Sequence, residues 1–243
     1  MFDFLATSYC GPAPLPNALW GRWNFDPVLL VAMALAVLVF RQQNTAPRQR
    51  WQFGLAMLTL AIIFISPLCA LTVALFSARV VHHVLLVAIA APLLALAWPR
   101  RLEAQALLVP LTLLHTAIFW LWHAPDAYGL ALGNTAIYWL MQVTLLGSAT
   151  LLWSALFAAS TARALAALLF LTIQMGLLGA LLVFADSPLY LPHLTTTIPF
   201  NLTPRDDQQL AGLIMWVPAS IPYLALALLR LMNWLRQAEA RTT

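Results

Sequence analysis

The chain has 243 residues, 63% of them hydrophobic and only 8% charged, with a net charge of +4 and a mean hydropathy of +0.86. Soluble domains run to about 45–50% apolar and about 25% charged residues, so the composition excludes an ordinary soluble domain and indicates a multi-pass membrane protein. No basic cluster or aromatic–basic interleave accompanies the positive balance, which argues against a nucleic-acid partner.

The opening "MFDFLATSYCGPAP" has no basic n-region, so the first apolar span is expected to stay in the mature protein. Seven segments are predicted to cross about 30 Å of hydrocarbon as an all-α bundle in one transmembrane domain. They are 26–41, 51–67, 80–98, 105–122, 135–157, 163–185 and 207–232. The first is short and is expected to borrow Trp20 and Trp23 as an interfacial anchor. His82 and His83 begin the third predicted span; His123 ends the fourth, with His115 about two turns below it. Trp98, Trp120, Trp122 and Trp153 lie near span ends and read as an aromatic belt. Met141, Met175 and Met215 read as packing residues, and of these only Met215 belongs to a segment with other polar clues. Gly176, Gly179 and Ala180 in the sixth span permit close helix approach.

The loop "DSPLYLPHLTTTIPFNLTPRDD" leads into the last span. There Thr203 reads as a helix N-cap, Pro204 as the first helical residue and Asp206 as the acid of the first turn. Helix initiation does not call for Asp207, Gln208 and Gln209 as well. Asp207, Ala211 and Met215 fall on one helical face.

Arg41, Arg48, Arg50, Arg100, Arg101, Arg163, Arg230, Arg236 and Arg241 fall on one side of the predicted bundle, and Arg22, Arg79 and Arg205 on the other. Positive residues favour the cytoplasm, so the N-terminus is expected outside and the C-terminus inside. All five histidines and both cysteines then face the outer compartment or open towards it. An interfacial histidine is more often a hydrogen-bonded anchor than a ligand. His82 and His83 diverge by about 100° on a helix, and Arg79 shares a face with His83. Cys10 and Cys69 are read either as a disulfide of an oxidising compartment or as small interfacial hydrophobes.

The string "DQQLAGLIMWVP" (207–218) resembles the signature of the CtaG-type (caa3-type) cytochrome c oxidase assembly factor family. "WNFDPVLL" (23–30), "ISPLCAL" (65–71), "FSARVVHHVLLVAIAAPLLALAWP" (76–99), "LWHAPDAYGLAL" (121–132) and "LLGALLVFADSPLY" (177–190) extend the resemblance along the chain in the family's order. It implies an assembly or maturation factor in the bacterial cytoplasmic (inner) membrane, whose partners are cytochrome c oxidase subunits or assembly intermediates. It also implies copper insertion at the periplasmic face, with copper held transiently. The matching positions are His83, His123 and Met215 as ligands, His82 as a further candidate, and Asp207, Gln208, Gln209 and Trp216 as motif residues. The family pattern is broken at Arg79, Tyr138 and Gln142, where histidines are expected. No P-loop, H-E-x-x-H or G-x-S-x-G occurs, so no enzyme is expected. The competing readings are a b-type cytochrome with heme between His83 and His115, an ion or small-molecule transporter, and a stable oxidase accessory subunit.

The arginine asymmetry makes topology testable. A reporter fused after Thr243 should be active only in the cytoplasm, and one inserted at His193 only outside; reversed activities would overturn the orientation.

Overall fold

The computed structural model describes residues 8–98 and 107–240, so Arg100, Arg101 and Arg241 lie outside the described residues. The described residues form helices and short 3-10 turns, with no strand among them. The helices are α1 (Pro27–Arg41), α2 (Pro47–Ile65), α3 (Leu68–Ala74), α4 (Phe76–Ala97), α5 (Leu108–His123), α6 (Pro125–Gly133), α7 (Thr135–Ala158), α8 (Thr161–Phe184), α9 (Pro204–Trp216) and α10 (Ile221–Glu239). Their starts follow local chemistry. Asp26 accepts from the Val28 N–H at 2.8 Å with Pro27 at the first position of α1, and Asn134 accepts from Ala136 and Ile137 to start α7.

Four of these units are long and apolar enough to cross a membrane: α4, α7, α8 and the α9–α10 run. A fifth is α2 with α3, if the pair is counted as one span despite its 47° bend. The bend falls at Ser66–Pro67, where the proline has no N–H to continue the ladder. Helices α1 and α5 have 15 and 16 residues and reach about 22–24 Å, short of the roughly 30 Å core. By length and apolarity the structure supports four or five spans, against the seven predicted from periodicity.

One boundary changes the reading of the site. The third predicted span starts at Phe76, four residues earlier than expected, so His82 and His83 lie nearly two turns inside the helix and not at its start. Trp153 also departs from expectation: it is buried and donates to the Val87 carbonyl at 2.8 Å, so it is a bundle residue and not part of a belt.

Helix α4 lies centrally, packed against α2, α7 and α9, and α9 packs along α8. The α8–α9 crossing depends on two glycines. A Cβ at Gly212 would lie 2.6 Å from the Gly179 carbonyl oxygen and 2.8 Å from Val183 Cγ2; one at Gly179 would lie 2.9 Å from the Gly212 oxygen. This is small-residue contact of the kind that joins membrane helices.

A disulfide joins Cys10 to Cys69, Cα–Cα 5.5 Å, and ties the segment before α1 to the start of α3. The open alternative between a bond and two small hydrophobes is thereby resolved in favour of the bond. At the opposite end Arg230 of α10 donates to the carbonyls of Leu156, Phe157 and Ala159, satisfying the last turn of α7.

The glycine crossing sets a direct test. Gly212→Leu should destabilise the protein by about 3 kcal/mol or more through overpacking against backbone, read as a lower melting temperature in detergent; an unchanged melting temperature would show that α8 and α9 can separate freely.

Candidate functional site: a histidine and methionine cavity

The last helix of the signature begins as its sequence predicts. Thr203 Oγ1 accepts from the Asp206 N–H at 3.1 Å while Asp206 accepts from the Thr203 N–H at 3.2 Å, a complete capping box with Pro204 at the first position. The next three residues reach other helices. Asp207 accepts from the Phe76 N–H at 2.7 Å, the Ser77 N–H at 3.2 Å and the Ser77 hydroxyl. It therefore caps the N-terminus of α4, where the residue at the cap position is Leu75 and offers no side-chain acceptor. Gln208 donates to the Leu182 carbonyl at 3.1 Å and accepts from the Leu189 N–H at 2.7 Å, and Gln209 donates to the Val183 carbonyl at 3.1 Å. Both glutamines close the C-terminal turn of α8. Asp207, which helix initiation in α9 does not call for, thus holds the end of another helix.

These contacts fix register. Helices α4 and α9 start side by side and run the same way, so His83, seven residues past Phe76, and Met215, eight past Asp207, sit at similar depth, about 10–12 Å in. Below the cap lies a cavity of about 40 Å³, whose lining includes His83, His115, His123, Met175, Met215 and Tyr223. The space takes a water or an ion, not a macrocycle. The three predicted ligands His83, His123 and Met215 are brought to it together; all three are buried.

The imidazoles are differently held. His123 Nδ1 donates to the Phe119 carbonyl at 2.7 Å, so in the neutral ring Nε2 keeps a free lone pair. His115 Nδ1 lies 2.8 Å from Ser148 Oγ, whose own hydroxyl is directed at the Leu145 carbonyl. Both ring nitrogens of His83 are buried with no hydrogen-bond partner, and its ring centroid lies 5.8 Å from that of His123. Buried polar atoms are rarely left so. Among the described residues no group of three or more His, Cys, Asp or Glu side chains is placed to hold a metal.

The remaining predicted positions fall elsewhere. His82 turns edge-on to Phe64, 5.0 Å between centroids, and does not line the cavity. Trp216 covers the Gly176–Gly179 face of α8. Arg79, 1% exposed, has its guanidinium 5.3 Å from the Tyr138 ring centroid, and none of its nitrogens has an acceptor in hydrogen-bonding geometry. Arg79, Tyr138 and Gln142, the departures from the family pattern, do not line the cavity. His193 is a loop staple: Nδ1 faces the Ala74 carbonyl at 3.3 Å and Nε2 accepts from Tyr128 at 2.7 Å. Burial holds its pKa down at about 3, so it is neutral. Sequence reasoning treats Met175 as packing; only the α8–α9 register brings it to the cavity.

Residues 31–112 and 105–237 match the family model described as cytochrome c oxidase caa3 assembly factor (Caa3_CtaG). The chain belongs to this family. No curated protein and no solved structure matches it. The family assignment indicates a cytochrome c oxidase assembly factor. The structure adds that the family signature joins three helices and that the cavity lies directly beneath it.

The cap is testable apart from function. Asp207→Ala should cost about 2–4 kcal/mol, because it leaves two buried N–H groups without acceptors, and Asp207→Asn should cost less. Equal melting temperatures for Ala and wild type would remove the cap from the account.

Proposed function

We propose that the protein assists copper insertion into a heme–copper cytochrome c oxidase from the outer, periplasmic face of the bacterial inner membrane, holding copper transiently as cargo. The observation that carries this reading is the cavity, which His83, His123 and Met215 line together and where the His83 ring nitrogens have no hydrogen-bond partner. Imidazole and thioether are both copper ligands. The hydrogen bond from His123 Nδ1 to Phe119 is the kind of outer contact that directs Nε2 at a metal. The partners are oxidase subunits or an assembly intermediate, in keeping with the family. We take the apolar helices as a seven-pass bundle with the N-terminus outside. The Cys10–Cys69 disulfide supports that orientation, since such bonds persist on the oxidising side of a membrane.

Deleting the protein should lower mature oxidase while its structural-subunit transcripts stay unchanged. The His83→Ala/His123→Ala double variant should reach the membrane at normal levels yet reduce oxidase copper. Full oxidase maturation by the double variant under copper limitation would overturn the copper role and leave the histidines structural.

A further inference from the structure

We infer that Met175 is a second thioether donor, level with Met215, and that the cavity is built for copper in its monovalent state. This rests on the copper reading above and names the donor set and ion charge that it leaves open.

Register carries the first half. Gln208 of α9 is bonded to Leu182 of α8, and the two helices run antiparallel from that bond. Met215 lies seven residues past Gln208, and Met175 seven residues before Leu182. Both are therefore about 10 Å from the same hydrogen bond. Between them the Gly179–Gly212 contact holds the backbones too close for any larger residue. Both methionines are buried and both line the cavity. His83 is brought to the same depth by the Asp207 cap, and His123 by the 5.8 Å approach of its ring to His83. His115, eight residues from His123, lies about 12 Å further along α5. It is too far to bind the same ion as His123, which is why no three-histidine group forms. Two imidazoles and two thioethers are the set left at one level.

Charge carries the second half. Among the described residues no carboxylate lines the cavity, and Asp207 is committed to α4. A neutral site in an apolar surround must bear the whole charge of its guest. The Born cost rises with the square of the charge, so a divalent ion costs roughly four times as much as a monovalent one. Arg79, one turn from His83 on the same face of α4, adds to the bias. Thioethers are soft donors that select Cu(I). The arrangement refuses Zn(II) and Cu(II) by charge and accepts Cu(I) by softness.

The test uses the full chain in detergent, with Cu(I) maintained by ascorbate and a chromophoric Cu(I) chelator as competitor. Wild type should retain one Cu(I) and should not retain Zn(II) at equal concentration. Met175→Leu, a volume-conserving change, should weaken Cu(I) binding by about tenfold or more, the loss of roughly 1.4 kcal/mol. X-ray absorption at the copper edge should show less sulfur scattering. If Met175→Leu fails to fold, selenomethionine-labelled Met215→Leu protein supplies the same information: a copper–selenium distance there comes from Met175, since among the described residues no other methionine lines the cavity. Cu(I) bound with no contribution from Met175 in either measurement overturns this inference and leaves the copper reading standing. Zn(II) bound as tightly as Cu(I) overturns the charge argument. No Cu(I) retained by wild type overturns both this inference and the copper reading.

Discussion

Asp207 reaches out of α9 to take two backbone N–H groups and a hydroxyl at the start of α4, and the geometry of the site depends on that contact. Burying a carboxylate costs several kcal/mol. Here the cost is offset by three donors and by the positive end of the helix it caps. The carboxylate needs no arginine, and Arg79 does not hydrogen-bond to it. The cap works on both helices at once. It starts α4 at Phe76, in a stretch with no local capping side chain, and it anchors the first turn of α9 against that start. Gln208 and Gln209 extend the same junction to the end of α8. Three helices are thereby registered at one end of the bundle by three consecutive side chains.

Register is what makes the cavity. Helices tied at their ends deliver side chains at depths set by residue count, so His83, Met175 and Met215 arrive together because each is seven or eight residues from its tie. The glycine crossing keeps α8 and α9 close enough for the two thioethers to share one space. The stretch of α4 that begins two residues past His83, Leu85–Ala90, is π-helical, a geometry that recurs at functional sites. Arg79, one turn before His83 on α4, does different work from the cavity side chains. Its guanidinium is stabilised over the Tyr138 ring, an interaction worth about 2 kcal/mol when desolvated. The departures from the family pattern, Arg79, Tyr138 and Gln142, do not line the cavity.

Much of this was legible in the residues. Composition alone establishes a membrane protein, because an 8% charged chain has too few polar groups to cover a soluble surface. The string from Asp207 to Pro218 and the fragments around it identify the family that the comparison then shows. The capping box at Thr203 was readable because its partners are three residues apart. The convergence of His83, His123 and Met215 could be suspected from chemistry, since a few polar and sulfur-bearing side chains stand out in so apolar a chain.

Other features lie beyond any local reading. Phe76 and Asp207 are separated by 131 positions, and no window of sequence links a missing cap to a carboxylate so far away. The start of α4 at Phe76, and with it the depth of His82 and His83, is therefore set by a contact that no local pattern shows. Cys10 and Cys69 admit two readings in the sequence, and their separation in space decides for the disulfide. Met175 had no signal of its own, because a methionine in an apolar helix is compositionally indistinguishable from packing. The sequence by itself determined solvent, helix class and family, all of which depend on residue type and short-range spacing. Only the tertiary structure decided which groups share a cavity and which serve as ties, because both follow from contacts between helices remote along the chain.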